Sequence, residues 1–88
     1  MTAKDIRGVR FSKSSRGYSP FAVNSFLILV QARLQGRAVL SAAQVRNLAF
    51  RKPSLSGWGY GQAEVDDVQE QIACALAELE AHTTVTDG

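Results

Sequence analysis

Apolar residues recur at helical spacing in two long stretches of this chain. Val23, Phe26, Leu27, Val30 and Leu34 fall three and four apart and predict a helix over residues 20–35. Val65, Val68, Ile72, Ala75/Leu76 and Leu79 do the same over residues 62–81. Ile28 and Leu29 widen the apolar face of the first long helix beyond a simple seam, so cover is expected on several sides. The second long helix is amphipathic, with acidic and amide-rich outer faces. A shorter helix precedes each: residues 3 to about 10, around Ile6 and Val9, and about 42 to 50, around Val45 and Leu48.

Local signals punctuate these elements. Thr2-Ala-Lys-Asp5 and Ser41-Ala-Ala-Gln44 fit the capping box, in which a hydroxyl and a later side chain satisfy backbone donors reciprocally. Ser19-Pro20 is a start signal, because proline at the first helical position lacks a donor that would have no partner there. Gly36 can end the first long helix in the left-handed region, and Pro53 stops the helix before it. Residues 12–19 and 51–61 are polar and glycine-bearing and read as loops. Residues 82–88 read as a flexible tail.

The pattern occurs twice. Setting Thr2 against Ser41 aligns Ile6/Val45, Arg7/Arg46, Val9/Leu48, Phe11/Phe50 and Lys13/Lys52 without a gap. After three extra residues in the second loop, Arg16-Gly17-Tyr18 meets Trp58-Gly59-Tyr60. Val23/Val65, Phe26/Val68, Val30/Ile72 and Leu34/Leu76 then follow in register. This predicts one all-α domain, a small helical bundle of two short-helix/loop/long-helix units spanning 2–36 and 41–81. In the expected pseudo-twofold arrangement the two long helices run parallel. Their core pairs Val23, Phe26, Val30 and Leu34 with Val65, Val68, Ile72 and Leu76. The first long helix spans roughly 25 Å at 1.5 Å per residue, a distance the return segment can cover. The short helices are expected to cover the far side of Leu27, Ile28 and Leu29; a second chain is the alternative.

At 88 residues the chain has room for one small domain. Net charge is +2 but unevenly placed: residues 1–40 hold seven Lys/Arg against Asp5, and residues 41–88 hold three against seven acids. The halves can attract one another, the basic half can seek an anionic surface, or both can be solvated faces. In register, Arg33 and Arg37 fall near Glu78 and Glu80. A single cysteine, Cys74, leaves no partner for an internal disulfide and reads as a small core residue. The charged N-terminus lacks an apolar signal core, and FLILV at 26–30 is far shorter than the roughly 20 residues of a spanning helix.

The first copy, DIRGVRFSKSSRGYSPFAVNSFL, and more loosely the second, QVRNLAFRKPSLSGWGYGQAEVDDV, resemble the N-terminal module of the DivIVA family, which marks poles and septa in Gram-positive bacteria. The chain is most similar to actinobacterial proteins with tandem copies. The resemblance implies modules that pair through parallel helices, with loops that cross at a tip and meet lipid through an apolar residue and basic neighbours. Arg16 matches the family's loop arginine; Ser15 stands where some members carry a membrane-entering Phe. Leu55 matches the apolar residue of the longer loop, and Trp58 replaces its arginine. The family's long coiled-coil extension has no counterpart in this chain.

The expected function is therefore a non-catalytic scaffold module of polar growth and cell division. It would be cytoplasmic, or peripheral at the inner face of the membrane, and dock to proteins or anionic lipid. Candidate contact residues are Lys13, Arg16, Arg51, Lys52, Leu55 and Trp58. Arg7, Phe11, Gly17, Tyr18 and their counterparts Arg46, Phe50, Gly59, Tyr60 form the structural motif. The glycines are expected to supply turn geometry, and the arginines to clamp a carbonyl or carboxylate. Nucleic-acid binding is the alternative reading; the basic half suits it loosely and the acidic last helix opposes it. No enzyme, metal or cofactor is expected. His82 is isolated, and Asp66-Asp67 suits the positive end of a helix dipole better than a metal. Whether the chain also forms a homodimer is left open.

Overall fold

The capping boxes set where the short helices begin. In the computed structural model, which describes residues 1–52 and 58–87 and side chains as far as Ala81, α1 is Ala3–Arg7 and α3 is Ala42–Asn47. Thr2 accepts from the Asp5 N–H and Asp5 accepts from the Thr2 N–H; Ser41 and Gln44 make the same exchange. The two bonds from Thr2 hold the Asp5 carboxyl below its ordinary pKa. Both short helices stop earlier than the apolar spacing suggests. The chain turns extended at Leu48 (ψ 131°), and Gly8 closes α1 by donating to Asp5 and Lys4 carbonyls.

Helix α2, Pro20–Leu34, starts where Ser19 accepts from the Ala22 N–H. It ends at Gly36, whose φ of 79° is the one positive value among the described residues. Arg37 donates to the Ala32 carbonyl and Gly36 to that of Arg33, the paired bonds of a Schellman stop. Helix α4 is Gln62–Asp87 and so runs past residue 81, where the sequence pattern places its end. Two strands of two residues each, β1 (Lys13–Ser14) and β2 (Gly59–Tyr60), pair antiparallel, with Lys13 opposite Tyr60 and Ser14 opposite Gly59. Sequence periodicity predicts only loops there, because two residues are too few to show alternation.

Helix α1 lies along α2, and α3 along α4. One buried cluster joins all four helices: Ile6; Val23, Phe26, Leu27 and Val30; Ala42 and Val45; Val65, Ile72, Ala73 and Leu76. Leu34 and Val68 pack against it half-buried. Each fully buried aliphatic side chain contributes about 1.5–3 kcal/mol, so this cluster dominates the fold's stability. The molecule is elongated, 52 × 22 × 17 Å.

Three expectations about packing need correction. The short helices cover Leu27 but not its neighbours: Ile28 is 66% exposed and Leu29 41%. One short helix can shield only one flank of α2, and Ile28 and Leu29 lie beyond it. Cys74 is exposed, near Glu70 and Arg46, while Ala73 takes the core position. A cysteine one residue further along a helix is turned by about 100°, enough to leave the core. Arg33 donates its Nε to the Leu40 carbonyl at 3.1 Å and Arg37 bonds Gln35, so both help close the α2–α3 turn. Glu80 accepts from the Ala42 N–H at 2.7 Å, at the start of α3.

Candidate functional site

The predicted contact residues Lys13, Arg16, Arg51, Lys52 and Trp58 gather where α2 and α4 begin, because the two preceding loops cross there. Tyr18 donates its N–H to the Tyr60 carbonyl at 2.9 Å, and Tyr60 returns the bond to Tyr18 at 3.0 Å. The next bonds outward match in the same way. Ser19 donates to the Arg51 carbonyl at 2.8 Å, and Gly61 to the Ser12 carbonyl at 2.9 Å. The loop before α4 is thus held by Ser19, at the start of α2, and the loop before α2 by Gly61, at the start of α4.

Gly17 and Gly59 sit at the crossing. A Cβ on Gly59 would stand 2.6 Å from the Gly17 carbonyl carbon and from the Tyr18 oxygen; one on Gly17 would stand 2.6 Å from the Gly59 carbonyl carbon. Neither glycine has positive φ. Their role is therefore close backbone approach and not the turn geometry that the sequence suggests.

Aromatic side chains brace the crossing from both sides. Tyr18 packs on Phe50 with ring centroids 5.5 Å apart, and Tyr60 on Phe11 at 5.1 Å. Phe50 also meets Phe26 edge-on at 5.3 Å, linking the crossing to the core. The tyrosine hydroxyls reach across to the opposite long helix: Tyr18 donates to Asp66 at 2.9 Å and Tyr60 to Asn24 at 3.3 Å. The bond to Asp66 stabilises the neutral phenol and raises the Tyr18 pKa above its usual value.

On this platform stand the residues of interest. Trp58 is 47% exposed and is not a free wedge. Its ring lies against Tyr60 at 5.9 Å, and the Lys13 ammonium sits 4.9 Å over its face. The Arg16 carbonyl accepts from Gln62 Nε2 at 2.6 Å, and the Arg16, Arg51 and Lys52 side chains are exposed around the same end. Leu55, the predicted apolar contact of the second loop, lies outside the described residues. Arg46 meets Glu70 at 3.4 Å, the carboxylate clamp expected of it, and this pairing raises the guanidinium pKa. Helix α2 carries no acidic residue, so Arg7 has no such partner there.

Two functional-looking residues escape sequence reasoning. Glu64 accepts the Ser12 N–H through both oxygens, at 3.1 and 3.0 Å. Gln69 donates to the Val45 and Leu48 carbonyls at 2.6 and 2.9 Å and so caps the end of α3. Both stand on the polar side of an amphipathic pattern, where spacing carries no signal about partners.

Among the described residues, no helix is long and apolar enough to cross a membrane, and no three His, Cys, Asp or Glu side chains converge as metal ligands. Set against protein-family models, curated proteins and solved structures, the chain matches none.

Proposed function

We propose that this chain is a tandem DivIVA-like module, a non-catalytic scaffold element of bacterial polar growth and division that docks through its crossed loops. In this reading the two units 2–36 and 41–81 are related by a pseudo-twofold axis through the crossing, with α2 and α4 parallel. The observation that supports it is the reciprocity of the contacts. The Tyr18/Tyr60 backbone pair, the Ser19/Gly61 bonds, the Phe–Tyr stacks and the hydroxyl bonds to Asp66 and Asn24 each have a partner at the matched repeat position. Two parallel helices that start side by side would present Lys13, Arg16, Arg51, Lys52 and Trp58 on one rigid tip.

The partner of this tip is an acidic face of a division or growth scaffold protein. The Trp58–Lys13 stack favours a second reading, peripheral contact with an anionic inner membrane, because an indole beside an ammonium suits the lipid–water boundary. Nucleic acid is disfavoured: Glu64 and Asp66 stand among the basic residues and would repel phosphate.

A fluorescent fusion expressed in an actinobacterium tests the reading. Foci at poles or septa are expected, and they should disperse when Lys13, Arg16, Arg51 and Lys52 are all changed to Gln. Uniform fluorescence of the native fusion rejects it. Co-sedimentation with phosphatidylglycerol vesicles separates the two partners. Binding that is lost in Trp58→Ser/Lys13→Ser assigns the tip to lipid, and no binding assigns it to protein.

A further inference from the structure

We propose that the groove between the first turns of α2 and the chain leaving α3 is a docking site for an acidic, apolar helix of a partner protein, and that Ala22 is what leaves it open. The proposal rests on the repeat register used above and not on the role of the basic tip.

The groove holds about 630 Å³, with Ala22, Phe26 and Leu29 on its α2 wall and Leu48, Phe50 and Arg51 on the other. Its lips are apolar and wet: Leu29 and Leu48 are each 41% exposed. Ala22, Phe26 and Leu29 follow at helical spacing, so the wall is a stripe along α2 that suits side chains arriving one turn apart.

The matched place in the other copy shows what such a groove binds. There Glu64 stands at the position of Ala22, and Ser12 at the position of Arg51. The Glu64 carboxylate accepts the Ser12 N–H with both oxygens, at 3.1 and 3.0 Å. The Arg51 carbonyl makes its matched bond, to Ser19 at 2.8 Å. Its N–H has no such carboxylate, because Ala22 stands where the register places Glu64 and α2 has no acidic residue anywhere along its length. The remaining matched changes along the stripe point the same way: Asp67 becomes Ser25, Glu70 becomes Ile28 and Gln71 becomes Leu29. One copy supplies its own carboxylate and a polar face. The other presents a bare donor, an adjoining guanidinium and an uncovered apolar strip.

Charge selects the occupant. Arg51 lines the groove, and the α2 wall opposite it carries no acid of its own to neutralise that charge. A partner carboxylate placed on the Arg51 N–H would make a charge-assisted bond in a partly dry setting, while flanking apolar side chains fill the strip.

The full chain, labelled with ¹⁵N, is titrated with a capped synthetic helix carrying Leu at i, i+3 and i+7 and Glu beside them. Two control peptides carry Gln or Lys in place of Glu. Amide shifts confined to residues 21–29 and 48–51 are expected, led by Arg51, with affinity falling about tenfold for Gln and further for Lys. Ala22→Glu should install the internal carboxylate, weaken the Glu peptide by at least about tenfold and leave the melting temperature unchanged or higher. Leu29→Gln, at an exposed position, should weaken binding without touching the core. No amide shifts with the Glu peptide, equal affinity for the Lys peptide, or equal binding by Ala22→Glu overturns the proposal. So does a concentration-dependent dimer that Ala22→Glu abolishes, since the groove would then belong to a second copy. Peptide binding that survives Lys13→Gln/Arg16→Gln, which leaves Arg51 in place, alongside dispersed fusions of that variant, leaves this site standing apart from the tip.

Discussion

Two glycines of one chain set opposite demands on their backbones. Gly36 has φ 79° with nothing within 4 Å of its missing Cβ, so an alanine there meets only conformational strain. That strain is about 1 kcal/mol. Gly59 has ordinary φ but faces backbone at 2.6 Å, which cannot swing aside as a side chain can. Gly59→Ala should therefore cost more than Gly36→Ala, at the upper end of the 1–3 kcal/mol typical of overpacking, or a melting-temperature loss of roughly 10 °C or more. Thermal unfolding of the two variants decides it; a larger loss for Gly36→Ala would mean the loops do not cross as described. Tyr18 gives a second prediction at this scale. Its hydroxyl donates to Asp66, so the folded pKa lies above the usual 10.0. The folded state then binds the phenolic proton more tightly than the unfolded state does. That contribution is fully present below pH 10 and is lost as pH rises from there through the folded pKa. Urea unfolding from pH 8 upward should show stability falling less steeply above pH 10 in Tyr18→Phe than in the native chain. Equal slopes would remove the bond to Asp66 from the account.

Helices were legible where the apolar period was long enough to fix a face. Val23, Phe26 and Val30, with Val65, Ile72 and Leu76, are buried as their spacing predicts, and the caps at Thr2, Ser19 and Ser41 are where their residue types place them. The strands were not legible, because β1 and β2 exist only where distant segments meet, with no period of their own. Nor could spacing rank Leu27, Ile28 and Leu29, three apolar residues in a row whose burial depends on which flank α1 takes. The candidate site was half legible. Charge and aromatic content marked Lys13, Arg16, Arg51, Lys52 and Trp58, while the Glu64 and Gln69 contacts depend on tertiary neighbours alone. The resulting division of α2 into an inner and an outer side predicts mutant behaviour. Val30→Ala opens a cavity at a fully buried position and should cost about 1–3 kcal/mol. Ile28→Ser, on the exposed side, should stay within about 0.5 kcal/mol. Denaturant midpoints for the pair measure this, and comparable losses would mean the outer side of α2 is covered in solution.

Taken as a whole, the molecule must place two differently charged halves against one core, and the direction of the two long helices decides what its ends can do. The reciprocal bonds of Tyr18 with Tyr60 and of Ser19 and Gly61 with the opposite loops fix only the starts of α2 and α4. From a shared start, parallel helices keep matched residues level, whereas splayed helices separate them progressively. Both helices rise 1.5 Å per residue, so two pairs of spin labels test the point. One pair takes Phe21 and Ala63, the other Ala32 and Cys74, all outside the buried cluster and each pair matched in the repeat register. Eleven residues separate the pairs along each helix, about 16 Å of travel. Parallel packing predicts inter-label distances that agree within a few ångströms between the two pairs, and a cross pair, Phe21 with Cys74, that is clearly longer than either. If Phe21–Cys74 is the shortest, the helices run opposite ways and the shared tip dissolves. If Ala32–Cys74 far exceeds Phe21–Ala63, the helices diverge, and Leu34 and Leu76 cannot belong to one seam. Light scattering on the same unlabelled chain should return the 9.5 kDa of a single copy, since one buried cluster already draws on all four helices within the chain. A mass of two copies with matched label distances unchanged would instead place the second chain on the exposed side of α2.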